Sequence, residues 1–352
     1  MKSLFRKTYN ASSNYSIILT NQYDVIILGA GPAGLECANQ FKNSNLSVLL
    51  IEKNKIIGPK TCAGGLTNLD KNFDIPKEKT RSFPKQEIFI KEKSRTINLV
   101  NPLKTISRFE LGQYQFQQIS NCKNIRILKE TLVKEIKKNE LVTSSENFKF
   151  KYLVGADGSN SIVRKHLNLK SKICIGMYYN ISKITDRFIW YVNPQKLKSG
   201  YIWVFPHKKY TNIGVYYNPD FVSSKNAKIA LEDFLKFHEF DFTHSKFEAA
   251  SINYSYYGCI FNNIFLIGDA AGLASKTTGE GISFALTSGK EIAKRIMNPN
   301  YEMDDLDKIL TFKKRQERML KVFDGLPVIQ TLLFKIFLNL MKKKWFQIYF
   351  GN

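Results

Sequence analysis

Acidic residues are scarce in this 352-residue chain, with 30 Asp and Glu against 53 Lys and Arg and a formal charge of +23. That surplus suits an anionic partner such as a phospholipid surface, a diphosphate or nucleic acid. Only ten of the 53 basic residues are arginine, so a lysine-rich solvated surface accounts for it equally well. No nucleic-acid module accompanies the charge, and no nucleic-acid partner is expected. Cysteine is sparse too. Five residues, at 37, 62, 122, 174 and 259, are too scattered for a disulfide framework and none are spaced Cys-x-x-Cys, which argues against a zinc ribbon or an iron-sulfur centre and for a cytoplasmic setting. No apolar run reaches the roughly 18 to 20 residues of a membrane helix. The opening MKSLFRKTYNASSNYSIILT lacks a solid apolar segment with a cleavage site, so residues 1–21 read as an N-terminal tail. What is plentiful is apolar side chain: 43% hydrophobic residues allow one large core or two that share a border.

The first strong pattern is YDVIILGAGPAGLECANQF, Tyr23 to Phe41. A buried-strand run, Val25 to Leu28, leads into Gly29, Gly31 and Gly34, the G-x-G-x-x-G spacing that lets a pyrophosphate approach the backbone at a helix start. A second strand, Leu46 to Ile51, ends in Glu52, placed to accept bonds from a ribose. Strand, glycine turn, helix, strand and acid together predict a dinucleotide-binding unit. In two later stretches an apolar strand again runs into aspartate and glycine. They are YLVGADGSNSIVR, residues 152–164, and IFLIGDAAGLASKTTGEGISFALTSG, residues 264–289. An aspartate after a buried strand also serves as a helix N-cap. In this order, however, the two stretches resemble motifs of the flavoproteins shaped like para-hydroxybenzoate hydroxylase. The resemblance implies FAD, with Asp157 and Gly158 near its pyrophosphate, Gly268 and Asp269 at the ribityl chain, and Gly279, Gly281 and Ile282 opening a helix toward the flavin N1 and O2. Ala33 and Val133 join the set assigned to the cofactor. So does Arg108, at the start of a helix over about Phe109 to Ile119, where a surface arginine is the plainer alternative.

Between these motifs the chain reads as β-sheet. QEIFIKEKSRTINLV, residues 86–100, looks like a hairpin, and 173–218 is rich in Ile, Tyr, Phe, Trp and Val. Alternation in GYIWVFP puts Tyr201, Trp203 and Phe205 on one face, either as plain core or as the wall of an apolar slot. GYIWVFP, the Gly268 to Gly289 stretch and PKTCAGGL together resemble the geranylgeranyl reductases, flavoenzymes that saturate isoprenoid chains. The likeness spans about residues 23–297. It implies that Cys62, Gly64 and Gly65 form a loop at the flavin, the thiol serving as proton donor, gate or redox latch; a buried structural thiol is the alternative. Lys276 stands where that family generally has proline. His207, after Pro206, reads as solvated.

The expected fold is α/β, a Rossmann-like FAD-binding domain (22–80, 104–172 and 253–297) interleaved with an α+β substrate domain on a mixed or antiparallel sheet (81–103 and 173–252), followed by C-terminal helices (298–352). The expected activity is hydride transfer from reduced flavin N5 to an isoprenoid double bond of a lipid or prenyl diphosphate, with a proton from Cys62, Tyr201 or water. Without a second glycine fingerprint, electrons would come from transient NAD(P)H or from a donor protein such as reduced ferredoxin. The tail LPVIQTLLFKIFLNLMKKKWFQIYF suits either a helix lying on an anionic membrane or one packed on the substrate sheet. An aromatic monooxygenase is the first rival and a flavin-dependent halogenase the second. A flavin-binding protein without turnover is a third.

Overall fold

The computed structural model describes residues 21–67, 73, 75–90, 93–326 and 328–349. The expected N-terminal tail lies outside them except for Asn21. Two eight-stranded sheets organise the chain. The first has a parallel centre, in spatial order Ile264–Leu266, Asn147–Gly155, Gln22–Leu28, Val48–Ile51 and Ile125–Leu128. Val25, Ile26 and Ile27 are fully buried, as a central parallel strand covered on both faces requires. A hairpin, Val133–Lys137 and Glu140–Thr143, extends it antiparallel from Asn147–Gly155.

The second sheet runs Phe247–Asn253, Ile173–Ile181, Thr211–Tyr217, Tyr201–Pro206, Ile189–Val192, Arg81–Ile90, Lys93–Thr105, Gly65–Leu66. It is mixed, because Ile189–Val192 lies parallel to Arg81–Ile90 while its other pairings are antiparallel. The hairpin expected over 86–100 is longer than the sequence suggested, and its register shifts between Phe83 and Lys85, where Pro84 has no N–H to give the ladder. Each sheet draws strands from early, middle and late chain, so the interleaving expected from the motifs is realised. Ile202, Val204, Ile213 and Val215 pack beneath the helix Ser224–Phe237. Ser223 caps that helix by accepting from the Asn226 N–H. The opposite face carries Tyr201, Trp203 and Phe205, as the period-two reading predicts.

The C-terminal segment forms helices Asp304–Gly325, Gln330–Met341 and Lys344–Tyr349. Asp304, Asp305 and Asp307 sit in the first turn of the first helix, where negative charge meets the positive end of the dipole. Leu338, Phe334, Phe337 and Met341 join the aromatic face of the second sheet. Gln347 fastens the last helix to a strand, accepting from Val100 N–H and donating to the Asn98 carbonyl, both at 2.9 Å. The last two helices therefore pack on the substrate sheet, while Leu306, Ile309 and Phe312 of the first join the core of the other sheet. No helix among the described residues is long and apolar enough to cross a membrane.

Candidate active site

Both sheets border one cavity of about 300 Å³. At its nucleotide end the strand Gln22–Leu28 turns into the helix Pro32–Gln40 through the three glycines. A Cβ on Gly34 would collide with the Gly29 carbonyl, whereas one on Gly31 would meet nothing within 4 Å. The first turn of this helix has no side-chain cap, and Gly31, Pro32 and Ala33 line the cavity. Glu52 lies just behind: its carboxylate accepts from the Ala30 N–H at 2.9 Å and the Asn54 N–H at 2.8 Å, fixing the turn after the second strand. Arg108 opens the helix Arg108–Gln117 behind the Ser107 cap and lines the cavity. Its guanidinium is buried, and Nε has no acceptor.

The two later aspartates behave differently. Asp157 accepts from the Ile162 N–H at 2.7 Å, so it works at a helix start while its buried Oδ1 has no partner among the described residues. Burial pushes its carboxyl up from the ordinary range. Gly158, in a left-handed conformation at φ 81°, reaches the cavity. Asp269 faces the cavity, paired with Lys60 at 3.1 Å and accepting from Ser159 Oγ at 3.2 Å. Gly268, Gly279, Gly281 and Ile282 line the same wall. Val133 instead lies in the core of the first sheet. The residues present fit FAD: an uncapped helix start and a buried arginine whose Nε has no acceptor among the described residues both call for a negatively charged group.

The other half of the cavity is apolar. Phe188, Trp190, Tyr201, Trp203 and Phe205 wall it from the sheet, and Phe323, Phe334, Phe337 and Met341 cover it from the C-terminal helices. Tyr201 donates its hydroxyl to the Thr278 carbonyl at 2.5 Å, and Trp203 donates its indole N–H to Asn212 at 2.6 Å. Each ring is thereby held with its polar tip satisfied, as buried Tyr and Trp require. Burial drives the Tyr201 hydroxyl far up, so it holds its proton.

Cys62 sits half-buried on the cavity wall between these ends. Its N–H donates to the Tyr178 hydroxyl at 3.3 Å, and its Sγ accepts from the Gly64 N–H at 3.4 Å. Tyr178 in turn donates to Glu248 at 2.9 Å. Gly64 adopts φ 71°, and a Cβ there would strike the Ile106 carbonyl and the His207 ring; one on Gly65 would press on Phe205. Both glycines thus also serve packing of the loop on the sheet. His207 corrects the sequence reading. It is buried, 4% exposed, stacked on Tyr210, and bonded through Nε2 to the Ala63 carbonyl at 2.9 Å. A carbonyl only accepts, so Nε2 carries the proton; burial pushes the imidazole down to about 4. The turn after Pro206 is covered by the Cys-Gly loop, a long-range contact that local sequence does not announce.

Sequence reasoning passed over Glu280, which stands between Gly279 and Gly281. Its carboxyl accepts from Thr67 Oγ1 at 2.6 Å and Ser283 Oγ at 2.8 Å, lines the cavity, and has no ion pair among the described residues. Burial raises its pKa. The available signal was an acid held between glycines before an apolar helix, a pattern that a surface loop also shows. Lys276 turns away, its ammonium 5.5 Å from the Tyr254 ring centroid.

Residues 23–177 match the pyridine nucleotide-disulphide oxidoreductase family and residues 130–299 the FAD binding domain family. An uncharacterized protein of Methanosarcina barkeri is 29% identical over 326 residues, covering 87% of this chain and 82% of its own. The digeranylgeranylglycerophospholipid reductase of Methanococcus vannielii is 27% identical, covering 83% and 82%. Among solved structures, a geranylgeranyl bacteriochlorophyll reductase-like protein of Thermoplasma acidophilum superposes with a TM-score of 0.76 at 20% identity, covering 92% of both chains.

Proposed function

The chain is an FAD-dependent oxidoreductase of the geranylgeranyl reductase-like family, and from that premise we propose that it saturates isoprenoid double bonds of a lipid or prenyl diphosphate. The observation that carries this reading is the continuity of one cavity from the glycine and aspartate motifs, past Cys62, into a slot walled by Tyr201, Trp203 and Phe205 and roofed by Phe334, Phe337 and Met341. Such a slot fits a branched hydrocarbon chain. Arg108 and the first turn of the helix Pro32–Gln40 would hold the FAD diphosphate, and Asp269 the ribityl chain. FAD, when bound and reduced, supplies the hydride. The aromatic walls align the prenyl chain and exclude water, and their ring faces favour the tertiary-cation character that accompanies protonation of a trisubstituted alkene. Transient NAD(P)H docking or a reduced protein such as ferredoxin would supply the electrons.

Docking on an anionic bilayer is part of the proposal. Val328, Leu332, Ile336, Trp345 and Ile348 are exposed beside Lys342, Lys343 and Lys344, and they flank or belong to the helix that roofs the slot and the short helix that follows it. Apolar bulk next to a lysine cluster suits a helix lying in the interface, through which a lipid tail can enter sideways. The test is anaerobic: reduce the FAD-loaded protein with dithionite, add geranylgeranyl lipid or diphosphate, and follow flavin reoxidation alongside the mass of the chain. Two hydrogens gained per double bond, in step with reoxidation, is the expected result. Persistence of reduced flavin with every prenyl substrate, together with oxygen-dependent hydroxylation or halogenation of an aromatic, would replace the proposal with a rival.

A further inference from the structure

We infer that Glu280 is the acid that protonates the substrate alkene. The inference rests on the reductase reading above and assigns the proton source that reading leaves open. A donor must meet the cavity, hold a proton at working pH and be free to give it away. Tyr201 meets the cavity, but its hydroxyl is committed to the Thr278 carbonyl, and burial makes it a far weaker acid than a free phenol. Tyr178 is bound to Glu248, with the same direction of shift from burial and from that carboxylate. His207 keeps its single N–H on the Ala63 carbonyl, and at about 4 it is neutral near pH 7. Glu280 meets the cavity with a carboxyl whose pKa is shifted toward the protonated form. It lines the cavity with Thr67 and Tyr201, accepts from two hydroxyls on Oε1, and has no cation beside it among the described residues. Desolvation raises its pKa and outweighs the two hydroxyl bonds that lower it, and a carboxylic acid shifted in that direction suits general-acid work. Thr67 follows the Cys-Gly segment closely in sequence, so the acid is tied to the loop that carries Cys62.

The step balances. The alkene π pair forms a C–H bond with the Glu280 proton as the O–H bond breaks, leaving a carboxylate. A hydride from the reduced flavin cofactor forms the second C–H bond, so the alkene gains two electrons and the flavin loses two. Glu280 regains a proton from water before the next turnover.

The experiment compares wild type with Glu280→Gln and Glu280→Asp, each loaded with FAD and reduced anaerobically, using geranylgeranyl lipid as the probe. Glu280→Gln is expected to retain FAD and to slow prenyl-dependent reoxidation by about 10²- to 10⁴-fold, with Glu280→Asp in between. The wild-type rate should fall as pH rises through the Glu280 pKa, and the Gln variant should lose that limb. Infrared spectroscopy of the resting protein supplies a readout independent of turnover: a protonated-carboxyl band at neutral pH that Glu280→Gln removes. A Gln variant that reduces the lipid at the wild-type rate, or a wild type without that band, overturns the assignment of Glu280 while leaving the reductase standing. A wild type that reduces no prenyl substrate yet shows the band overturns the reductase reading instead.

Discussion

His207 shows how far a single side chain departs from its local sequence. Its imidazole, held at about 4 by burial, protonates near 6.5 in the unfolded chain. The unfolded state therefore binds the extra proton first, and the contribution to stability is whole above about pH 6.5 and lost as pH falls toward 4. The loss is at most about 3.5 kcal/mol, since one pKa unit is about 1.4 kcal/mol. Urea unfolding across that window should show the slope in wild type and a flatter curve in His207→Gln; parallel curves would refute it. Arg108 makes the opposite case. Its buried Nε has no acceptor among the described residues, so Arg108→Leu should leave the apoprotein as stable as before or slightly more so. FAD affinity should nevertheless fall roughly 10- to 100-fold, the worth of a hydrogen bond to a charged group. Titration of apoprotein with FAD and thermal melts of the apo form separate the two effects.

Among the elements, the helix Gln330–Met341 divides its faces between the slot and solvent, and the last helix packs Phe346 against its Phe337. Leu338 and Phe346 are buried, while Leu332, Ile336, Trp345 and Ile348 are exposed. Replacing Lys342, Lys343 and Lys344 with Gln should weaken binding to anionic vesicles by about two orders of magnitude, at about 1 kcal/mol per lysine, and wild-type binding should fade with salt. Leu332→Glu with Ile336→Glu should abolish it while the reduction of a short, soluble prenyl diphosphate persists. Cosedimentation with phosphatidylserine vesicles measures both, and unchanged binding by either variant would remove the membrane from the proposal. Sequence presented both faces of this segment as open choices; packing of Phe334, Phe337 and Leu338 on the sheet settled the inward one.

At the scale of the molecule, the two sheets exchange strands along the chain and share one cavity, so neither has a continuous piece of sequence to itself. Unfolding should be a single transition. Fluorescence of Trp190 and Trp203, in the substrate sheet, should change together with release of FAD from the other sheet. Free FAD at 100 times its dissociation constant should stabilise both by about 2.7 kcal/mol. Two separated transitions would show that the sheets fold as independent units.

The sequence by itself determined what short spacing can encode. The glycine turn at Gly29 to Gly34, the Asp157 and Asp269 strand ends, and the alternation of Tyr201, Trp203 and Phe205 are local patterns imposed by backbone geometry, and each stands in the structure where its period and spacing put it. Only the tertiary structure decided the rest. Thr67 meets Glu280 across 213 residues, Ala63 covers His207 across 144, and Asn98 holds Gln347 across 249. Desolvation and partner geometry, which raise the Glu280 pKa and turn His207 from a solvated base into a neutral donor, depend on which distant segments close over a side chain. Spacing along the chain does not carry that information.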